Sequence, residues 1–380
     1  MKVLLTGAFG NVGLSTLKEL LKKDYSVRIF EVYNRKNRKI AKRFKDRIEI
    51  IWGDLRNEED VNKAVKNQDI VIHLAAIIPP LADYDTDLAE AVNVGGTKNI
   101  LNAINKQLNN PKLIFTSSIA VYGDRRSNPM IEVTDPLTPS RGDYYAMTKI
   151  TAEKLIRVSG VDFAIFRLTY ITSIDKLNRD PLLFHMPLDT CIETCDTKDV
   201  GLALVNAIEC DEVWGEIFHI AGGKDCRITY REYLNDMMEI FGLGRNFLPE
   251  EGFAEKDFHC GYMNTDKSQS LLNYQKHTLE DYYTEVKKKI GPRKHFMPAI
   301  RWIIRLNLLK RSERYRRYRL FRKKAGAFTV SENKLIRKIL ATNFNRIEQL
   351  EKKVEELEQL TSNLIENFNN VSQFNQSQSV

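Results

Sequence analysis

The chain has 380 residues, of which 43% are hydrophobic, and a formal net charge of +8. This length suits one large domain or two domains with appendages, and it allows a sizeable core. The charge is concentrated, because residues 291–324 carry thirteen lysines and arginines against one acid, so that the chain without this segment stands at −4. The globular part therefore gives no electrostatic reason to expect a nucleic acid partner.

The cysteines and the hydropathy of the chain argue against a disulfide-rich, a metal-binding or a membrane-spanning protein. Five scattered cysteines do not form a disulfide framework, and no CxxC pair or Cys/His cluster offers a metal site. Cys191 and Cys195 are interpreted as buried small residues on one face of a strand. There is no run of eighteen apolar residues and no leading signal sequence. We expect a cytoplasmic protein without a metal.

The first stretch of the chain predicts a strand, a glycine-rich turn and a helix. Residues 3–5 are apolar and suit a strand buried on both faces, after which Gly7, Gly10 and Gly13 permit a tight turn and close approach of a ligand to the backbone. A pyrophosphate would bind at the N-terminus of the helix predicted over 14–21, where N–H groups and the helix dipole favour negative charge. Taken alone, such a triplet is equally consistent with an ordinary tight turn.

The second predicted strand, 26–31, ends in Glu31. A carboxylate at this position can accept hydrogen bonds from both ribose hydroxyls of an adenosine and would repel the 2′-phosphate of NADP. Four basic residues between positions 35 and 39 could instead bind that phosphate, or form a solvated helix face. We favour NAD as the cofactor, with NADP as the alternative.

Three further strands alternate with helices. The strands are predicted at 48–54, 69–76 and 111–118, with helices at 60–66 and 87–108. We expect Asp54 beside an adenine ring and the small pair Ala75 and Ala76 against the cofactor, whereas His73 is interpreted as a packed residue near a strand end. The regular alternation predicts an α/β fold with a doubly wound parallel sheet.

A tyrosine and a lysine open the next helix. Tyr145 and Lys149 are four residues apart and share one helical face, where an ammonium can lower the pKa of the phenol and also reach a ribose. Ser118, at the end of a neighbouring strand, would add a hydroxyl, so that three polar groups surround one substrate oxygen. A Tyr/Lys pair at this spacing is common, and it becomes informative only in this order after the loop and the serine.

Together these stretches resemble the extended short-chain dehydrogenase/reductase family, which includes nucleotide-sugar epimerases, dehydratases and reductases. The resemblance covers about residues 1–290. It rests on the cofactor loop at 6–13, the adenine contact at 53–55, the mid-sheet motif at 73–76, the helix motif at 93–97, the serine motif at 117–123, the pair Tyr145 and Lys149, and the later segments 197–201 and 215–222.

The resemblance implies roles for individual residues. Tyr145 would be the general acid/base on a sugar hydroxyl or carbonyl, Lys149 would tune it and hold the nicotinamide ribose, and Ser118 would hydrogen-bond the same oxygen. Ser117 is the neighbour that could take the place of Ser118. The implied cofactor-binding residues are Gly7, Phe9, Gly10, Asn11, Val12, Gly13, Glu31, Asp54, Leu55, Leu74, Ala75, Ala76, Asn93, Tyr145 and Lys149.

The chain also departs from the family pattern. Where dehydratases place Thr-Asp-Glu, this chain has Ser118, Ile119 and Ala120, so no acid pair is available to remove water and dehydration is not expected. The stretch 166–171 lacks the proline-asparagine and Tyr-Gly-Pro elements usual beside the nicotinamide and the substrate. Candidates for contacts to a nucleotide diphosphate are Arg179, His185 and Arg227.

These observations predict an NAD-dependent nucleotide-sugar epimerase that acts by transient oxidation. One alternative is an NAD(P)-dependent reductase or dehydrogenase of a keto-sugar nucleotide or similar carbonyl substrate. The other is an NAD(H)-binding scaffold that assembles through its C-terminal segment. The presence of Ser118, Tyr145 and Lys149 argues against the scaffold, because a scaffold needs none of them.

The predicted domains follow the composition along the chain. They are a nucleotide-binding Rossmann domain at 1–170, a smaller substrate-binding lobe interleaved with the last sheet strands at 171–290, a basic helical linker at 291–330, a coiled coil at 331–371 and a disordered tail at 372–380. Apolar residues on a and d positions indicate the coiled coil, and we expect a homo-oligomer formed through it and through catalytic-domain helices. Residues 298–324 have two interpretations: a peripheral anchor on the inner face of a membrane, or a helix docked on the catalytic domain with a solvated basic end.

Overall fold

The computed structural model describes residues 1–174, 182–255 and 257–325, together with residue 353. Its strands are β1 Lys2–Thr6, β2 Ser26–Glu31, β3 Glu49–Trp52, β4 Ile70–His73, β5 Lys112–Ser118, β6 Met130–Ile131, β7 Phe163–Leu168, β8 Tyr170–Thr172, β9 Cys191–Asp196, β10 Glu216–Ile220, β11 Arg227–Thr229 and β12 Tyr262–Met263. Its helices are α1 Asn11–Leu20, α2 Arg35–Ala41, α3 Glu58–Val65, α4 Leu81–Tyr84, α5 Thr86–Ala89, α6 Gly96–Asn105, α7 Tyr144–Arg157, α8 Thr197–Asn206, α9 Tyr230–Ile240, α10 Asp266–Leu272, α11 Leu279–Ile290, α12 Met297–Leu309 and α13 Glu313–Ala325.

Seven strands form one parallel sheet in the order β3-β2-β1-β4-β5-β7-β10. The chain runs outward from β1 to β3, returns to β4 beside β1, and then builds the other half of the sheet. The strand order therefore reverses between β1 and β4, which is where ligands bind in sheets of this kind. The predicted doubly wound fold is confirmed.

Both faces of the sheet are covered, as the apolar strand sequences require. In β1, Val3 and Leu5 enter the core cluster under α1 and α8, whereas Leu4 enters the cluster under α3, α6 and α7. This alternation follows from the two-residue period of a strand. Helix α8 approaches α1 closely because position 201 is glycine: a Cβ there would lie 2.8 Å from the backbone of Ser15.

The chain after β7 alternates between the main sheet and a smaller part. Strands β8, β9 and β11 form a three-stranded sheet, and β6 pairs with β12. Between them, α8 packs on the main sheet and β10 pairs with β7. Thr229 caps α9, its hydroxyl accepting a hydrogen bond from the Glu232 N–H at 3.3 Å.

Some predicted elements differ in length from those observed. The helix expected over 87–108 is interrupted, because a π-helical segment, Glu90–Gly95, separates α5 from α6. The strands expected over 48–54 and 69–76 end at Trp52 and His73, so that Asp54 and the 74–76 segment lie beyond the ladder. These residues are thereby placed at the carboxyl edge of the sheet.

The chain divides into two compact units, Met1–Ser312 and Glu313–Val380. Helix α12 belongs to the first unit, and α13 opens the second. The predicted coiled coil and tail, residue 353 apart, lie outside the described residues, and the predicted domain boundaries remain predictions. No helix within the described ranges has the length and apolar character needed to cross a bilayer.

Candidate active site

The glycine loop after β1 lies against the end of β4. Gly7 has φ +69°, and a Cβ there would lie 2.7 Å from the Ala75 nitrogen. At Gly13 a Cβ would lie 2.0 Å from the Gly7 carbonyl oxygen. No side chain fits at either position without moving the backbone, so the loop conformation explains why these positions are glycine.

The N-terminus of α1 is suited to an anion. Gly10 occupies the N-cap position without a side-chain hydrogen bond, and the first turn contains no acid. By contrast, α3 and α7 are capped by Asn57 and Asp143. The N–H groups of Asn11 and Val12 therefore lie in an uncapped first turn at the point where the strand order reverses, which fits the pyrophosphate of a dinucleotide.

Glu31 lies beside this loop at the end of β2. One carboxylate oxygen accepts a hydrogen bond from the Phe9 N–H at 2.9 Å, and the other accepts one from the Asn37 amide at 3.3 Å. Burial raises the pKa of Glu31, while the Phe9 hydrogen bond and the charge of Lys36 oppose that rise. The carboxylate that was expected to hold a ribose thus also fixes the loop.

Asp54 and Leu55 follow β3. The Asp54 carboxylate accepts several hydrogen bonds from the Arg56 guanidinium, the shortest at 2.6 Å, and these hold the pKa of Asp54 below its usual range. Leu55 is buried and contacts Gly96, where a Cβ would approach it to 2.9 Å. The expected adenine contact is therefore a carboxylate already paired with a neighbouring arginine.

The end of β4 is held by a buried polar network. Thr6 Oγ1 and His73 Nδ1 are 2.7 Å apart, and the same hydroxyl accepts a hydrogen bond from the Ala75 N–H at 3.2 Å. On its other side, His73 Nε2 is 3.3 Å from Thr97 Oγ1. Burial lowers the pKa of His73 to about 3, so the imidazole is neutral near pH 7. His73 is a packed residue, as predicted, and it supports the segment Leu74–Ala75–Ala76.

Asn93, on the π-helical segment, joins three parts of the site. Its side-chain oxygen accepts a hydrogen bond from the Ile77 N–H at 2.7 Å, and its amide nitrogen donates to the Ile77 carbonyl at 2.9 Å and to Thr148 Oγ1 at 3.0 Å. Because all these partners are protein groups, Asn93 positions the loop after β4 against α7.

Ser118, Tyr145 and Lys149 meet at the carboxyl end of β5. A hydrogen bond joins the side chains of Ser118 and Tyr145 and lowers the pKa of the phenol, but burial raises that pKa more. Lys149 donates to the Thr116 carbonyl at 2.8 Å, and its nitrogen lies 5.8 Å from the centre of the Tyr145 ring. The structure thus brings the three predicted groups together. Ser117, in contrast, is buried, and its hydroxyl has no hydrogen-bond partner among the described residues.

Lys149 is a buried cation. Its side chain is 3% exposed and its nitrogen lies 4.7 Å from the centre of the Phe115 ring. Burial lowers its pKa to about 8, and the charge of Glu153 one turn further along α7 opposes that decrease. The ammonium form therefore predominates at pH 7, although less strongly than for an exposed lysine.

Three polar residues that the sequence analysis did not select surround the start of α7. Asp143 accepts a hydrogen bond from the Ala146 N–H at 2.9 Å, and its other oxygen lies 2.5 Å from His259 Nδ1. Asp83 accepts one from the Tyr145 N–H at 3.3 Å. An aspartate directly before a helix is an N-cap signal that could have revealed Asp143. Asp83 and His259 are distant in sequence, and no local pattern indicates them.

A buried polar chain runs from α7 to the smaller part. Arg167 donates to both carboxylate oxygens of Glu153, at 3.0 and 2.6 Å, and to Tyr122 Oη at 2.5 Å. Tyr122 Oη lies 2.7 Å from His219 Nε2, and His219 Nδ1 lies 3.1 Å from the Asn264 carbonyl. Burial lowers the pKa of His219 to about 4 and raises that of Tyr122 to about 12. All members are satisfied, which makes this chain a structural support for α7.

Among the described residues, the structure does not bring the candidates for diphosphate contacts together in one site. Arg227 donates to the buried carboxylate of Glu193 at 2.9 Å and stacks over the Tyr262 ring at 5.2 Å. His185 is exposed, and Arg179 lies outside the described residues. Arg227 therefore forms an ion pair within the protein, which competes with a contact to a diphosphate.

The fold and the site define a class of protein: a doubly wound α/β fold of the kind that binds dinucleotides, with a serine, a tyrosine and a lysine at the carboxyl edge of the sheet. Residues 4–162 match the model of the 3-beta hydroxysteroid dehydrogenase/isomerase family. The chain is 29% identical over 174 residues to UDP-glucose 4-epimerase 3 of Oryza sativa subsp. japonica, covering 41% of this chain and 43% of that protein. It is 31% identical over 160 residues to a 3-beta-hydroxysteroid dehydrogenase of Mycolicibacterium neoaurum, covering 41% and 42%. The chain thus spans less than half the length of these relatives.

Solved structures resemble a larger part of the chain. A short-chain dehydrogenase/reductase superfamily protein from Agrobacterium tumefaciens with bound NAD has a TM-score of 0.63 at 19% identity, over 79% of this chain and 100% of that one. UDP-glucuronic acid 4-epimerase from Bacillus cereus, in complex with UDP-glucuronic acid and NAD, has a TM-score of 0.63 at 21% identity, over 76% and 100%. At these identities the likeness shows the fold. The comparisons together confirm the resemblance to the extended short-chain dehydrogenase/reductase family.

Proposed function

We propose that this chain is an NAD-dependent nucleotide-sugar epimerase that acts by transient oxidation. The observation that carries the proposal is the meeting of Ser118, Tyr145 and Lys149 at the carboxyl end of β5, with Tyr145 hydrogen-bonded to Ser118. NAD, when bound, supplies a nicotinamide ring that accepts a hydride from a substrate carbon and can return it. The relatives named as UDP-glucose and UDP-glucuronic acid 4-epimerases support the choice of substrate class.

The chain's own residues would bind the cofactor and move the proton. The uncapped turn at Asn11 and Val12 would hold the pyrophosphate, and Glu31 the adenosine ribose. Tyr145 Oη would take the proton from the substrate hydroxyl and return it, with Ser118 hydrogen-bonded to the same oxygen. Because burial raises the pKa of Tyr145, the phenolate needs the nearby Lys149 ammonium for stabilisation. Lys149 therefore acts on the proton transfer through its charge.

Two observations favour a second candidate, an NAD(P)-dependent dehydrogenase or reductase of a less anionic hydroxyl or carbonyl compound. The family model that matches residues 4–162 is that of hydroxysteroid dehydrogenases. In addition, Arg227, one of the cations expected to hold a diphosphate, is paired with buried Glu193. The two candidates share the residues of the proton transfer and differ in the substrate and in the fate of the hydride.

The identity of the bound cofactor separates these candidates. An epimerase retains NAD through turnover, so denaturing the purified protein should release stoichiometric NAD or NADH, without a 2′-phosphate. A protein purified without nicotinamide would favour the dehydrogenase or reductase, and titration with NAD and NADP would then measure which one it binds.

Replacement of Tyr145 by phenylalanine tests the proton transfer. The assay measures turnover of UDP-glucose or UDP-glucuronic acid, or the rate at which either compound reduces bound NAD. We expect Tyr145→Phe to lower this rate by about 10²–10⁴-fold. The matched control is Tyr144→Phe, the same change at a residue whose hydroxyl donates to Glu90 at 3.3 Å. Equal activity of the two variants would refute the assignment of Tyr145. No turnover of either sugar nucleotide by the wild type would instead favour the NAD(H)-binding scaffold.

We further propose a cytoplasmic location and a homo-oligomer formed through catalytic-domain helices and the C-terminal coiled coil. A chain truncated after residue 290 should keep cofactor binding but show a smaller mass in sedimentation. An unchanged association state would refute the coiled-coil part of this proposal.

A further inference from the structure

Helix α12 is fixed to the first unit along one side only. Arg301 stacks over the ring of Phe247 at 5.4 Å, and Leu309 is buried. Just after the helix, Ser312 Oγ donates to the Gly252 carbonyl at 2.6 Å. These contacts hold both halves of the helix and determine which of its sides faces away from the protein.

The outward side of α12 is apolar. Five large apolar side chains, between 41% and 74% exposed, form it, four on the helix and one directly before it: Phe296, Ile300, Trp302, Ile303 and Leu306. At about 100° per residue they fall within one arc of roughly 160°, opposite the side that carries Arg301. The structure therefore exposes an apolar stripe with one polar residue, Asn307, within its arc. Single exposed apolar residues, by contrast, are ordinary on protein surfaces.

The segment that carries this stripe has only positive charges in its sequence. Residues 291–312 contain six lysines and arginines and no acid. Arg293 and Lys294 precede the helix, Arg305 lies within it, and Lys310 and Arg311 follow it. A symmetric contact between two copies would bring these like charges together, whereas an anionic surface would complement them.

We propose that the apolar stripe of α12 binds an anionic lipid surface, with the helix lying in the plane of the membrane. The helix has 13 residues and a length of about 20 Å, which suits the interface and not a span. Trp302 would lie at the level of the headgroups, and the flanking basic residues would contact lipid phosphates. The proposal is independent of the enzymatic activity, because none of these residues belongs to the candidate active site.

Flotation of the full-length protein with vesicles tests this proposal. We expect it to float with phosphatidylcholine vesicles that contain phosphatidylglycerol, to float poorly without that anionic lipid, and to be released by high salt. The triple variant Ile300→Ser, Trp302→Ser, Leu306→Ser should bind at least about tenfold more weakly. The double variant Arg293→Gln, Lys310→Gln should bind roughly fivefold more weakly for each charge removed. No flotation of the wild type, or equal flotation of the triple variant, would overturn the proposal.

A matched control and a mass measurement complete the design. The control variant Leu108→Ser, Val158→Ser changes two apolar residues that are 101% and 82% exposed elsewhere on the first unit, and it should float like the wild type. All variants should keep the wild-type unfolding temperature, because the replaced side chains are exposed. If the triple variant alone has a smaller mass by light scattering without vesicles, the stripe joins copies of the chain and the lipid proposal is wrong.

Discussion

Replacing Lys149 by methionine should stabilise the cofactor-free protein near neutral pH while impairing its activity. Burial lowers the pKa of Lys149 from 10.5 to about 8. This shift of roughly 2.5 units means that folding with a charged Lys149 costs about 3 kcal/mol at pH 7. Methionine has a similar length and no charge, so it removes this cost.

The substitution also has an unfavourable effect, which limits the gain. It leaves the Thr116 carbonyl without the donor that lies 2.8 Å away, at a cost of about 1–3 kcal/mol. The net expectation at pH 7 is a variant between equally stable and about 2 kcal/mol more stable than the wild type.

The pH dependence gives the sharper test, because it does not depend on the hydrogen bond. Below pH 8 the lysine is charged in both states and the full cost is present. Between pH 8 and 10.5 the folded state loses the proton first, so the wild type gains stability as the pH rises. The advantage of Lys149→Met should therefore decrease by about 2 kcal/mol between about pH 7 and about pH 9.5.

Urea unfolding at the two pH values, with cofactor removed, measures this difference. Lys154→Met is the matched control, because Lys154 lies on the same helix but is exposed. Its stability relative to the wild type should not change with pH. A Lys149→Met difference that is the same at both pH values would show that the buried ammonium is not the origin of the effect.

Two further predictions concern the loop and the buried ion pair. Gly7→Ala should abolish NAD binding and destabilise the protein by about 1–3 kcal/mol, because residue 7 has φ +69° and its new Cβ would collide with the Ala75 backbone. Gly95→Ala is the control: its Cβ would have no neighbour closer than 3.8 Å, so this change should be neutral or stabilising by up to about 1 kcal/mol. Thermal unfolding and NAD titration measure both, and normal NAD binding by Gly7→Ala would contradict the loop argument. Arg167→Met should destabilise the protein by about 3–5 kcal/mol, because it leaves the Glu153 carboxylate buried without its partner, and Glu153→Gln in the same chain should recover part of the loss. Urea unfolding of the two single variants and the double variant checks this, and a loss below about 1 kcal/mol for Arg167→Met would disagree with it.

The sequence predicted well those features of the fold and the site that depend on residues close together in the chain. Buried parallel strands are continuous apolar runs, the glycine loop follows from backbone constraints, and the four-residue spacing places Tyr145 and Lys149 on one side of α7. These patterns need no knowledge of the tertiary structure, so the sheet and the proximity of Ser118, Tyr145 and Lys149 could be predicted.

The parts that the sequence did not predict arise from contacts between distant segments. The π-helical segment that places Asn93 has the composition of an ordinary helix, and its conformation accompanies hydrogen bonds to Ile77 and Thr148. The pairing of Arg227 with Glu193 joins residues 34 positions apart. Similarly, the contact of His259 with Asp143 depends on how the smaller part folds back over α7.

The buried polar chain from Glu153 through Arg167, Tyr122 and His219 to the Asn264 carbonyl has a mechanical consequence. It ties α7, β7 and β10 to the segment just after β12, so a hinge that opened along this line would separate buried charges and hydroxyls from their partners. Such a separation costs several kcal/mol. Substrate entry and product exit should therefore proceed by rearrangement of surface loops, while the main sheet and the smaller part move as one body.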